Sequence, residues 1–377
     1  MSLAQRIAPV LERQKSHLVA DHLISHPKSN ANTNDSSAGR VINVLINFTL
    51  GERYVDLIRA ASPRVRISQV YTQIAEGEGA PGPEDWHQRE GDELNALLAE
   101  AEVLFTFRFP VAWIANAPNL RWIQLASAGS DFIQREGLFV QRPDMLLTTA
   151  SGVHEVPISE HIIASILHFS RGFHRAVRNQ AARNWERYQA DEVQGRMVCF
   201  IGYGPIARKA AALCQALGMR VTAIRASIAE QQPGFEAVGR FYPPTELNQV
   251  LAEADYVVLA APRTPQTENI LSAAQFDAMK ETAVLVNISR GALVDQPALI
   301  DALQEGKIGG AALDVFAEEP LPESSPIWEI PNVLVTPHIA GSNPHYDKRV
   351  TELFIDNLHR YLANEPLKNL VDKNRGY

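Results

Sequence analysis

From Val41 onward the chain alternates short unbroken apolar runs with longer stretches in which apolar residues recur every three or four positions. Unbroken runs such as Val41-Ile42-Asn43-Val44-Leu45-Ile46-Asn47-Phe48, Val103 to Phe107 and Trp122 to Leu125 read as strands buried on both faces, and the intervening stretches read as helices. A second series begins at Met197-Val198-Cys199-Phe200-Ile201 and continues with strands at 220–224, 256–260, 284–288, 310–313 and 333–336. Between the two series runs an amphipathic segment, about Ser159 to Tyr188. A last helix is expected from about Asp347 to Leu362. Strand and helix in alternation imply parallel sheets covered by helices. The fold class is therefore α/β: two doubly wound parallel-sheet domains, Rossmann- or flavodoxin-like, with a cleft between them. Residues 40–150 form the first, completed by 343–377 if the last helix returns to it; residues 151–342 form the second.

Residues 1–39 break this rhythm. Leu3, Ile7, Val10, Leu11 and Leu18 have helical spacing, and the polar run from Pro27 to Gly39 reads as a flexible linker. Arg6, Arg13 and Lys15 suit a transit peptide, whereas Glu12 and Asp21 do not, and the apolar core of a secretory signal is absent. The expectation is an N-terminal extension outside the fold.

Composition narrows the function class. At 377 residues the chain exceeds one ordinary core. Its net charge of −8 disfavours nucleic acid and anionic membranes as partners, and no apolar run approaches a bilayer span. Cys199 lies in an apolar strand and Cys214 in an apolar helix, so both read as buried thiols in a reducing, cytoplasmic setting, and no metal is expected.

The sharpest local signal is Gly202-Tyr203-Gly204-Pro205-Ile206-Ala207, which follows a strand and opens a helix. Gly202 and Gly204 permit the tight bend and the approach of a pyrophosphate to the helix N-terminus, and Ala207 is small enough to pack helix on strand. The next strand ends at Arg225-Ala226-Ser227. An NAD-preferring site has Asp or Glu here; Arg225 would instead pair with a 2′-phosphate and Ser227 donate to it. NADP is the expected cofactor, with NAD possible if Arg225 is only a solvated surface residue. Pro262, Arg263, Ile288, Ser289 and Asp314, at the carboxyl ends of later strands, are further candidates for the cofactor wall.

Downstream stand three polar residues in separate motifs: Arg290 in Val-Asn-Ile-Ser-Arg-Gly, Glu319 in Asp-Val-Phe-Ala-Glu-Glu-Pro, and His338 in Thr-Pro-His-Ile-Ala-Gly. A cation, a carboxylate and an imidazole suit a 2-keto acid that is held, polarised and protonated while a nicotinamide delivers hydride. Together with the glycine turn, these motifs resemble the D-isomer-specific 2-hydroxyacid dehydrogenase family. Glu319-Pro320-Leu321-Pro322-Glu323-Ser324-Ser325-Pro326-Ile327-Trp328 and the terminal Val371-Asp372-Lys373-Asn374-Arg375-Gly376-Tyr377 look like its glyoxylate/hydroxypyruvate reductase branch.

The resemblance implies that His338 is the acid/base, that Glu319 rather than Glu318 orients it, and that Arg290 binds the substrate carboxylate and carbonyl. It places a carboxylate-binding nest at Ala128 and Gly129, with Arg108 an additional candidate for the same cleft. The family usually has leucine where Arg263 stands. A homodimer packed through residues 159–188 is also implied. The expected reaction is NADPH-dependent reduction of glyoxylate or hydroxypyruvate to the D-2-hydroxy acid. The alternatives are a larger keto acid such as phenylpyruvate, with pocket size set around Phe107, Trp113 and Trp328, and a non-catalytic, corepressor-like dinucleotide sensor.

Overall fold

In the computed structural model, which describes residues 40–70, 92–226 and 235–373, the buried runs lie side by side in two wholly parallel sheets. The N-terminal helix and linker expected within 1–39, Ser227, and the last four residues of the terminal motif lie outside the described residues.

The first sheet contains β1 (Ile42–Asn47), β2 (Val65–Gln69), β3 (Val103–Thr106), β4 (Trp122–Leu125) and β5 (Leu146–Thr148), in the order β2-β1-β3-β4-β5. The second contains β6 (Met197–Ile201), β7 (Arg220–Ile224), β8 (Arg240–Tyr242), β9 (Tyr256–Leu259), β10 (Val284–Asn287), β11 (Gly310–Leu313) and β12 (Val333–Val335), in the order β12-β11-β10-β9-β6-β7-β8. Each order reverses once, between β1 and β3 and between β6 and β9. Such switch points open a crevice at the carboxyl ends of the strands, where ligands of doubly wound sheets bind.

Strand registers explain the unbroken apolar runs. β6 pairs with β7 on one side and β9 on the other, and Val198, Cys199 and Phe200 are fully buried. Burial pushes the thiols of Cys199 and Cys214 up to about 12, so neither is reactive. The last helix, Tyr346–Ala363, packs on the first sheet: Phe354 stacks on Phe105 with ring centroids 4.2 Å apart and an interplanar angle of 6°. The tail then bridges Thr148 through Leu370.

β2, β5 and β8 were not legible as strands in the sequence. β2 (Val-Arg-Ile-Ser-Gln) exposes Arg66 at a sheet edge, β8 begins with the exposed Arg240, and β5 is three residues long. The single amphipathic segment expected over 159–188 is two helices, Glu155–Ser170 and Phe173–Ala181. They are separated at Gly172, whose φ of 65° is one that glycine adopts without strain.

Candidate active site

The carboxyl ends of both sheets line one cavity of about 860 Å³. Of the residues singled out in the sequence, Ala128, Gly129, Ile206, Pro262, Arg263, Ile288, Ser289, Arg290, Asp314 and His338 border it.

His338 and Glu319 form a pair behind and within this wall. Nδ1 of His338 lies 2.7 Å from Oε2 of Glu319, and the N–H of Phe316 donates to Oε1 at 2.9 Å. Burial pushes the Glu319 carboxyl up, but those two hydrogen bonds and the nearby Arg290 charge outweigh it and hold the carboxyl below its ordinary range. The hydrogen bond to Glu319 raises His338 above its ordinary value, against burial and the Arg290 charge. A histidine held in this way keeps its proton to higher pH than an ordinary histidine and presents Nε2 away from its carboxylate partner.

The backbone aims the ring. His338 has a φ of 53°, an unusual conformation for a residue with a side chain, which costs about 1–3 kcal/mol. Asp314 holds it there: its carbonyl accepts the His338 N–H at 2.9 Å, and its carboxylate accepts the N–H groups of Ile339 and Ala340, each at 2.9 Å, and the Thr336 hydroxyl at 2.7 Å. The buried Asp314 carboxylate is thus committed to the His338 loop, although the residue also borders the cavity.

Arg290 follows β10. It donates through Nη1 to the Ser289 carbonyl at 2.8 Å and through Nε to Asp131 of the opposite lobe at 3.2 Å. Its Nη2 lies against Gly129, where a Cβ would come within 1.7 Å of it. The Ala128–Gly129 loop and Arg290 are therefore in contact across the cleft. Arg108 is exposed, lies 5.0 Å from the centre of the Phe132 ring, and is not among the residues bordering the cavity.

At the glycine turn only Ile206 borders the cavity, and the two glycines differ in their surroundings. Gly202 has a φ of 90°, and a Cβ on it would meet the backbone of Ala261 at 2.6 Å; a Cβ on Gly204 would meet nothing within 4 Å. Gly204 caps the helix Pro205–Ala216, and Tyr203 is buried edge-on to Phe235 and Phe241. Arg225 directly follows β7 and has its guanidinium over those same two rings, at 4.9 and 6.0 Å from their centres. Its Nη1 is buried and has no hydrogen-bond partner among the described residues, so an anionic acceptor there would satisfy a cationic donor. Arg263 is ion-paired to Glu268. Among the described residues no group of His, Cys, Asp and Glu is arranged to hold a metal ion, and no helix is long and apolar enough to cross a membrane.

Residues 163–340 match the family model described as D-isomer specific 2-hydroxyacid dehydrogenase, NAD binding domain. A glyoxylate reductase of Pyrococcus furiosus is 34% identical over 275 residues, covering 68% of this chain and 77% of the relative. The chain belongs to the D-isomer specific 2-hydroxyacid dehydrogenase family. A hydroxypyruvate reductase of Blautia hydrogenotrophica is 28% identical over 291 residues, 75% of this chain and 88% of that one. Among solved structures, a D-isomer specific 2-hydroxyacid dehydrogenase of Xanthobacter autotrophicus, in complex with NADPH and MES, superposes with a TM-score of 0.74 at 27% identity, covering 89% of this chain and 99% of the other. The protein is an NAD(P)-dependent oxidoreductase.

The dehydrogenase cleft also contains residues that sequence reasoning missed. Phe48, Thr49, Tyr346 and Asp347 border it together with the expected Phe107. Trp113 packs in the first-lobe core instead, and Trp328 is exposed with its indole N–H on the Pro322 carbonyl; neither borders the cavity. Asp131 closes the small-residue loop 124–131 and borders the cavity, and nothing in its local sequence marked it.

Proposed function

We propose that this dehydrogenase is an NADPH-dependent reductase of short 2-keto acids, glyoxylate and hydroxypyruvate foremost, giving the D-2-hydroxy acid. The observation that carries the reading is the 2.7 Å His338–Glu319 pair on the wall of the same cavity that Arg290 and the Gly129 loop border. A reduced nicotinamide, when bound, supplies the hydride to the keto carbon. His338 delivers a proton from Nε2 to the carbonyl oxygen, and Glu319 stabilises the imidazolium and fixes its ring. Arg290 holds the substrate carboxylate and polarises the carbonyl, with the backbone N–H groups of Ala128 and Gly129 receiving the carboxylate from the other side. Contact of the two lobes excludes water from this step.

Gly202, Tyr203, Gly204, Pro205 and Ile206 would hold the cofactor pyrophosphate, and Pro262, Arg263, Ile288, Ser289 and Asp314 would line its nicotinamide side. The buried Nη1 of Arg225, without a hydrogen-bond partner among the described residues, supports NADPH over NADH, with Ser227 a second donor to the 2′-phosphate. The NADPH complex of the Xanthobacter relative points the same way. Arg108 enters this proposal only as a residue that could swing toward the cleft mouth. A homodimer is supported by Phe173, Val177 and Trp185, apolar side chains exposed on and after the helix Phe173–Ala181. A cytoplasmic setting is consistent with the two buried thiols.

Phe48, Phe107 and Tyr346 favour a second reading, a larger aromatic keto acid such as phenylpyruvate. The test is the oxidation of NADPH and of NADH, followed by absorbance, with glyoxylate, hydroxypyruvate, pyruvate and phenylpyruvate in parallel. Fast NADPH oxidation with the first two acids is expected. Turnover of phenylpyruvate alone would keep the mechanism and change the substrate. Nucleotide binding without turnover of any acid would put a corepressor-like sensor in its place.

A further inference from the structure

The side chain of Asp131 reaches across the cleft to a residue 159 positions further along the chain. A short acidic side chain at the start of a helix is ordinarily explained by the helix dipole, and Asp131 opens the helix Asp131–Arg135. That role asks nothing of where the carboxylate points. Here it accepts a hydrogen bond from Nε of Arg290 at 3.2 Å, and both side chains are largely shielded, with 17% and 34% of their surfaces exposed. The slot that lets them meet is left by Gly129, because any side chain there would occupy the place of Nη2.

The three nitrogens of the Arg290 guanidinium are thereby divided. Nε is held by Asp131 of one lobe and Nη1 by the Ser289 carbonyl of the other. Nη2 makes no hydrogen bond among the described residues and lies beside the Gly129 loop, and Arg290 is one of the residues that border the cavity. A planar guanidinium fixed at two of its nitrogens has no remaining rotation, so its third nitrogen points in one direction.

We propose that Asp131 is a positioning residue for substrate binding: by gripping Nε across the cleft, it turns the guanidinium of Arg290 so that Nη2 faces the substrate carboxylate and carbonyl. The proposal rests on the reading of this site as one for 2-keto acids. Because the grip spans the lobes, separating them releases Nε, and Arg290 is aimed only while the cleft is closed. The carboxylate also offsets part of the arginine charge, so an anion is held at one donor edge rather than captured by a free cation. A lysine at 290 would carry the charge but could not be oriented, because it has no Nε edge to grip.

The test compares wild type, Asp131→Ala, Asp131→Asn and Arg290→Lys with and without Asp131→Ala. Each is assayed for KM and kcat with glyoxylate and hydroxypyruvate, for NADPH affinity by fluorescence, and for oxamate binding to the NADPH-loaded enzyme. Losing a charge-assisted hydrogen bond should raise the keto-acid KM and the oxamate Kd of Asp131→Ala about tenfold or more, with NADPH affinity unchanged. Asp131→Asn, whose amide oxygen can still accept from Nε, should recover much of this. In the Arg290→Lys background Asp131→Ala should have almost no further effect. The proposal is overturned if the Asp131→Ala KM stays within about twofold of wild type, if NADPH affinity and thermal stability fall in step with it, or if its full effect persists beside Lys at 290. Wild type that neither turns over these acids nor binds oxamate would remove the keto-acid reading and the proposal together, whereas an active wild type with an unaffected Asp131→Ala removes the proposal alone.

Discussion

The two walls of the cleft are made in different ways. On the second lobe, side chains carry the polar chemistry, and the group around His338 is locked from its own lobe: Glu319 by the Phe316 N–H, His338 by Glu319, and the His338 loop by three donors to Asp314. On the first lobe the wall consists of the small-residue loop Ser127 to Asp131 and the aromatic rings of Phe48, Phe107 and Tyr346. The two meet where Arg290 touches Gly129 and Asp131. In the proposed reaction, one wall handles protons and charge and the other decides which carbon skeleton can lie beside them. Damage to the second wall should therefore appear in kcat, and damage to the first in KM and substrate preference.

The largest effect should come from the second wall. His338→Ala removes the proposed proton donor and should lower kcat by roughly 10²–10⁴, the usual contribution of a positioned general acid, with NADPH affinity unchanged by titration. An alanine variant that kept wild-type kcat would move the acid to another residue and dissolve the distinction between the walls. Arg225→Asp should follow. It replaces a half-buried cation with a repelling carboxylate, at about 1.5–3 kcal/mol for each charge-assisted hydrogen bond removed, and the ratio of NADPH to NADH efficiency should fall accordingly. An unchanged ratio would reject the NADP reading while leaving the dyad untouched.

Gly129→Ala is the first-wall counterpart. Its Cβ would lie 1.7 Å from Nη2, so Arg290 must withdraw from the loop. Steady-state kinetics should show the keto-acid KM raised about tenfold, with a smaller change in kcat and none in NADPH affinity. A loss confined to kcat would mean that the loop serves the chemical step and that the walls do not divide the work.

The same division decides what the sequence made legible. His338, Glu319, Arg290 and the Gly202 turn could be read because their chemistry demands particular residue types in local settings, and a strand followed by Gly-Tyr-Gly-Pro opens a helix wherever it occurs. Phe48 and Tyr346 carry no such mark: Phe48 ends an apolar run that reads as core, Tyr346 stands in the polar stretch from Ser342 to Arg349, and only tertiary packing turns them to the cavity. Asp131 stood in the sequence only as the end of a small-residue loop, since nothing local shows that its partner is Arg290. Short edge strands such as Arg240–Tyr242 escaped for a related reason, because their pairing with β7 supplies what their own pattern lacks. Conversely, Trp113 and Trp328 looked like pocket residues by type alone and lie elsewhere.

The smallest effect, and the one that tests the dyad most finely, is that of Glu319→Gln on the pH profile. Reduction needs His338 protonated, and its raised pKa keeps it so to higher pH than an ordinary histidine; the rate should fall as pH rises past that pKa. Glutamine has one acceptor where glutamate has two, and the Phe316 N–H at 2.9 Å competes for it. With the amide oxygen turned to Phe316, the amide N–H groups face Nδ1 and favour the neutral ring, so the pKa of His338 falls. The alkaline limb of kcat should therefore move to lower pH, with little loss in acid, where the ring is protonated in both proteins, and a loss that grows toward neutral and above. A limb that stayed in place would mean that Glu319 only steadies the ring and that its charge does not hold the proton.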